Sequence, residues 1–211
     1  MSTTRLAATA AGLATVAALG VIGVSTASAA TTKFGAKLSS QTQPSNATNA
    51  SCADSDPTLA PPPSPCTRVP TTYADVGAIN GAIKAPKSGT VTKIKLIAAK
   101  PGTMKPLVVS LKNIDTQAHT AKGKVTAKGP KINYVTSVQP TSYKVQTFAV
   151  NFPVQKGQYL GIEARRTSML RCNSGGGKQL LFQPPLKLGN PFDPSDGHDD
   201  CVLLIQAVVK Y

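Results

Sequence analysis

The chain has 211 residues and a formal net charge of +14, from 23 Lys and Arg against 9 Asp and Glu. Seventeen Gly and 17 Pro at ordinary hydrophobicity exclude disorder throughout and point to many turns between short strands. Four Cys, two His, a single Glu and no Trp leave little material for acid–base catalysis.

Residues 1–30 read as a secretory signal peptide. Arg5 is the positive end, Leu6 to Val24 is apolar and uncharged, and Ala27-Ser28-Ala29 fits a cleavage site after Ala29 or Ala30. The competing reading is an N-terminal membrane anchor. Cleavage would leave no stable anchor, since no second apolar run approaches membrane length. Export makes the cysteines candidates for disulfides. Three connectivities are open; proximity along the chain favours Cys52–Cys66 and Cys172–Cys201. The first would close a short loop, with an entropic contribution of about 3 kcal/mol. No Cys/His spacing fits zinc.

Residues 31–70 read as a linker or loosely held, flexible N-terminal segment. Ser39 to Ser51 is almost wholly polar or Ala, and Pro61-Pro62-Pro63 and Pro65 follow. Asn46-Ala47-Thr48 and Asn49-Ala50-Ser51 match the N-glycosylation pattern.

The domain itself is expected over 71–211. Val76 to Ile83 is a strand weakened by Gly77 and Gly81. Thr90 to Ala98 is stronger, with Ile94, Leu96 and Ala98 inward and Lys93 and Lys95 outward. Leu107, Val109 and Leu111 give the next core face, with Ser110 and Lys112 outward. A short strand is expected around Val125 and another over Lys131 to Val138. Phe148, Val150 and Phe152 alternate up to the break at Pro153–Gly157. Leu160, Ile162 and Ala164 alternate after it, with Tyr159 on the opposite, exposed side. Leu180 and Phe182 mark a further strand. Leu203, Ile205, Ala207 and Val209 form the core side of the last one, whose removal should unfold the domain. Eight or nine strands without a helical period predict an all-β fold: two packed antiparallel sheets, a β-sandwich of jelly-roll or Greek-key type.

The run Phe152-Pro153-Val154-Gln155-Lys156-Gly157-Gln158-Tyr159-Leu160-Gly161-Ile162 resembles an element of secreted actinobacterial β-sandwich proteins of unassigned role. Phe182-Gln183-Pro184-Pro185-Leu186 and Leu204-Ile205-Gln206-Ala207-Val208-Val209 are similar to their last strands. The resemblance spans about residues 73–211. It implies a jelly-roll-like module and transfers no functional residue.

Glu163, flanked by Arg165 and Arg166, would need a second carboxylate for glycoside hydrolysis. No Gly-x-Ser-x-Gly is present, and Ser174 with His198 is a triad only if geometry assembles one. Asp193, Asp196, Asp199 and Asp200 crowd one loop and could offer oxygens to Ca²⁺, although the EF-hand spacing is missing. The plainer expectation is a solvated turn whose acids pair with Lys and Arg. Residues 71–190 carry 18 Lys and Arg against 3 Asp and Glu. If their strands are neighbours, Lys93, Lys95 and Lys112 would make a basic sheet face, joined by Lys122 and Lys124. Such a face would attract anionic cell-wall or extracellular polymers. Specific nucleic-acid binding is not expected without interleaved aromatics. The reading is a secreted, non-enzymatic binding or structural module, with a hydrolase or a glycan-binding module as alternatives.

Overall fold

An alternating run becomes a strand only where a neighbour takes up its backbone groups, and here that condition is met in three antiparallel sheets. The computed structural model describes residues 29–38, 47–50, 65–72, 81–139, 143–164, 170–173, 178–200 and 202–211, and these contain no helix. Residues 1–28, the Pro-rich run 61–64, Val76 to Asn80, Arg165, Arg166 and Ser174 to Gly177 lie outside them.

The strands in chain order are β1 (Thr31–Gly35), β2 (Ala47–Ala50), β3 (Cys66–Thr72), β4 (Gly89–Leu96), β5 (Gly102–Asp115) and β6 (Thr120–Lys128). They continue as β7 (Ile132–Tyr134), β8 (Gln146–Val154), β9 (Tyr159–Ala164), β10 (Leu170–Asn173) and β11 (Lys178–Phe182). The last are β12 (Asp193–Pro194), β13 (Gly197–Asp199), β14 (Val202–Leu203) and β15 (Ile205–Lys210). A four-stranded sheet runs β1-β15-β4-β8, and a three-stranded one β14-β10-β2. The eight-stranded sheet runs β12-β6-β5-β9-β3-β11-β13, with β7 also paired to β5.

The main core lies between the sheets. Phe34, Ile94, Leu96, Phe152 and Ile205 from the four-stranded sheet meet Met104, Val108, Leu160 and Ile162 from the large one, with Leu170 and Leu203 from the small one. Phe148 and Val150 pack partly buried against it. The expected inward faces of β4, β8, β9 and β15 are therefore the observed ones.

The large sheet also has a second core on its other face. Val69, Leu107, Val109, Val125, Tyr159, Leu180 and Phe182 enclose it, all from strands of this one sheet. The sheet thus curls into a half-barrel, burying β5 and β9 on both sides. Gly123 shows how tightly: a Cβ there would come within 2.7 Å of the Phe182 ring. Tyr159, expected outside, is only 4% exposed. Alternation correctly sets it opposite Leu160 and Ile162, but that opposite side is a core as well.

The stretch read as linker contributes three strands. β1 pairs with β15, β2 with β10, and β3 lies inside the large sheet. Their sequences are poorly apolar, so the neighbours rather than local pattern order them. Of the expected strand Val76–Ile83, Gly81 to Ile83 form no ladder, and Lys84 makes only an isolated bridge to Tyr159. β6 spans nine residues instead of a short piece near Val125.

β8 and β9 do not pair. β8 ends on β4, and β9 begins between β5 and β3, so the Pro/Gly break carries the chain from one sheet to the other. Gly157 takes φ +86°, a conformation side chains rarely adopt. Gln158 ties the crossing down. Its Oε1 accepts from Gln155 N at 2.7 Å, and its Nε2 donates to Thr126 Oγ1 at 2.9 Å and Ser110 Oγ at 3.2 Å. Cys66 and Cys172 are fully buried and neither is a free thiol. Cys52 and Cys201 lie outside the described residues.

Candidate functional site

The lysines foreseen as one basic face fall on two sheets. Lys93 and Lys95 sit on β4 in the four-stranded sheet; Lys112, Lys122 and Lys124 sit on β5 and β6 in the half-barrel. Consecutive strands β4 and β5 are not neighbours, because the chain changes sheet between them. Lys112 stands directly opposite Lys122, a like-charge pairing. Lys112 places its ammonium over the Phe192 ring, 4.1 Å from the centroid, which offsets part of that repulsion.

A contiguous basic face does form, from a different set. Paired residues on adjacent strands point to the same side of a sheet. Lys33 on β1 faces Val208 on β15, and Val208 faces Lys93 on β4. Lys95 lies beside Gln206 in the next outward row, and Lys210 closes the end of β15. Strand spacing sets the Lys33 and Lys93 backbones about 10 Å apart. The four strands carry Lys33, Lys93, Lys95 and Lys210 and no Asp or Glu. Val208, 8% exposed, lies between Lys33 and Lys93; lysine stems readily cover such apolar surface. Lys33 was missed because it sits in the stretch read as linker.

The acidic loop has a structural task. Asp193 pairs with Gly123 and Pro194 with Lys122 on β6; Gly197 to Asp199 pair with β11. These five residues of β12 and β13 thereby bridge the two edges of the curled sheet. Ser195 N donates to Ala121 O at 2.8 Å, and Asp196 N to Leu181 O at 2.9 Å. Three of the acids are engaged in this closure. Arg68 donates to Asp199 at 2.7 Å, Lys178 to Asp200 at 2.5 Å, and Gln183 N to Asp196 at 2.5 Å. Lys178 is the chief reason the Asp200 carboxyl lies below its ordinary range. Of the four aspartates foreseen as calcium ligands, Asp196, Asp199 and Asp200 are drawn to three different partners, and Asp193 takes its place in the β12 ladder. Among the described residues no group of three or more His, Cys, Asp or Glu gathers around a metal position.

Glu163 lies between Lys105, at 3.2 Å, and Lys128, closer still. Burial pushes its carboxyl up, but the hydrogen bonds from Lys128 and Lys105 outweigh burial and hold it below the usual Glu range. A carboxyl kept ionised in this way is poorly placed to act as a general acid. Its lowered folded-state value contributes stability above the unfolded value of 4.5, which is lost as pH falls through the folded value. Glu163→Gln should therefore lower folding stability at neutral pH, by at most about 1 kcal/mol for so exposed a pair of lysines, read as a lower melting midpoint. The gap to wild type should close in acid. A gap unchanged from neutral to strongly acid pH would contradict this.

At the open end of the half-barrel lies a cavity of about 110 Å³, lined by Ile114, His119, Thr120, Tyr159, Lys178 and Leu180 among others. The β5–β6 turn shapes it. Asp115 accepts from Gln117 N at 2.8 Å and Ala118 N at 2.9 Å, and the second of these does most to keep its carboxyl low. The turn then places His119 at φ +53°, with its ring 4.8 Å from that of His198. Sequence offered no sign of this meeting, because the β6 and β11 pairings that create it are non-local. His198 has no triad geometry to test, since Ser174 lies outside the described residues. For a sugar platform, Tyr211 is the one exposed Tyr among those described.

No family model matches this chain, and neither curated proteins nor solved structures give a match.

Proposed function

We propose that this protein is an exported, non-enzymatic β-sandwich module of jelly-roll or Greek-key type that holds an anionic envelope polymer on its four-stranded sheet. The observation that carries the reading is the lysine face of Lys33, Lys93, Lys95 and Lys210, on strands without a single acid. A repeating polyanion laid along it would meet several ammonium groups at once, while the sheet keeps their backbones fixed. The core shared by two sheets supports the sandwich. The crossings from β4 to β5 and from β8 to β9 favour a Greek-key order over a run of hairpins. The apolar leader supports export, as do two buried cysteines that are not free thiols. The pairing that goes with this reading is Cys52–Cys66 and Cys172–Cys201. The likeness to secreted actinobacterial sandwich proteins belongs to the same proposal.

Retention on isolated, teichoic-acid-type anionic wall polymer tests it. Wild type should bind at low salt and release steeply between about 0.05 and 0.2 M. Replacing Lys33, Lys93, Lys95 and Lys210 together by Gln should abolish retention while changing folding stability by no more than about 0.5 kcal/mol per site. The matching change at Lys112, Lys122 and Lys124 should leave retention largely intact. Salt-independent retention, or equal retention by the four-lysine variant, rejects the mechanism.

A further inference from the structure

We propose that His119 and His198 together bind one divalent transition-metal ion of the imidazole-seeking class (Zn²⁺, Ni²⁺ or Cu²⁺) at the mouth of the half-barrel. These are the chain's only histidines, and the fold brings them together from the β5–β6 turn and from β13. Their centroids are 4.8 Å apart and the rings are inclined by 53°. Two imidazoles bound to one tetrahedral ion through nitrogens at about 2.0–2.1 Å place their centroids about 5 Å apart. Little movement is therefore needed to close a chelate. His119 is half-buried and His198 exposed, so an ion and its remaining water ligands can reach both.

The surroundings favour a cation. Asp115 bears electrostatically on His119, and Asp200 on both rings. The nearby cations are already engaged: Lys178 is paired with Asp200, and Arg68 with Asp199. No third His, Cys, Asp or Glu among the described residues completes a ligand cluster. The site is thus a two-histidine chelate finished by water, with imidazole nitrogens that select transition metals over Ca²⁺. This is a different site from the acidic calcium loop expected from sequence, although His198 lies within that loop. The ion would clip the β5–β6 turn to β13, adding a third fastening to the closure made by β12 on β6 and β13 on β11.

The test is calorimetric titration and thermal melting of the full chain, made without a histidine tag, with ZnCl₂, NiCl₂ and CaCl₂. One equivalent of Zn²⁺ or Ni²⁺ should bind and raise the midpoint; Ca²⁺ should do neither. His119→Asn, a residue that tolerates the left-handed backbone, and His198→Gln should each keep the metal-free midpoint and weaken binding by more than about tenfold. Should either replacement disturb folding, Cu²⁺ added to wild type decides the matter through its electron-spin spectrum, which should show two coordinated nitrogens. The proposal is overturned if wild type takes up no transition metal, if the variants bind as wild type does, or if the copper spectrum shows no imidazole nitrogen.

Discussion

Deleting Ile205–Tyr211 should leave a chain that no longer folds. β15 is the second strand of the four-stranded sheet, paired along five positions with β1 and along six with β4. Ile205, Ala207 and Val209 are each 0% exposed and face the main core. Burial of each large apolar side chain contributes about 1.5–3 kcal/mol. Deletion removes two of them together with Ala207, and also strips the ladder partners from two other strands. A domain with roughly 5–15 kcal/mol in hand does not survive that. The truncated chain should show a collapsed amide NMR spectrum and no cooperative melt. Ile205→Ala gives the graded version, a loss of about 2–4 kcal/mol with the fold intact. A cooperative transition in the truncated chain would show that β15 is dispensable.

The importance of this last strand was legible because its pattern is local. Leu203, Ile205, Ala207 and Val209 alternate without interruption, and an exposed face of that composition has no solution but a core. The same held for Phe148 to Phe152 and for Leu160 to Ala164. A period of two says which residues share a side; it does not say what lies on the other side. For Tyr159 the other side turned out to be a second core, created when the sheet curled; on β5 the expected face of Leu107 and Val109 is in that second core, and Val108 on its other side meets the main one. Whether a sheet curls depends on pairings such as Asp193 with Gly123, which no window of sequence contains.

The topology divides the expected basic face between two sheets. Lys93 and Lys95 point outward, as alternation requires. Placing Lys112 beside them assumed that successive strands pair. Here β4 and β5 lie in different sheets, and the neighbour two strands away is β1, supplied by a stretch whose composition suggested no structure at all. Lys33 is a face residue only because β15 lies between β1 and β4. In the acidic loop two of the acids meet Arg and Lys, as the plainer expectation had it, while Asp196 accepts from a backbone N–H and the loop forms two short strands. That it also fastens the half-barrel follows from β12 and β13 being paired to opposite edges.

That fastening gives the second large effect: Asp199→Ala should cost about 2 kcal/mol and loosen the closure before the rest of the fold. Arg68 enters from β3, inside the large sheet, and its side chain is only 7% exposed. The Asp199 carboxylate faces its guanidinium at 2.7 Å from the end of β13. Removing one member of a buried pair strands the other charge, at about 3–5 kcal/mol when both are dry. Asp199 is 38% exposed, so water shares the load and the smaller figure applies. The damage should be local. β13 is three residues long and held on one side by β11, so its amides should exchange with solvent well before those of β4 or β9. Arg68→Met in the Asp199→Ala background should recover part of the loss, since it removes a buried charge that has lost the Asp199 carboxylate. Equal midpoints for wild type and Asp199→Ala, with unchanged exchange at Gly197 to Asp199, would mean that the backbone pairings alone keep the half-barrel shut.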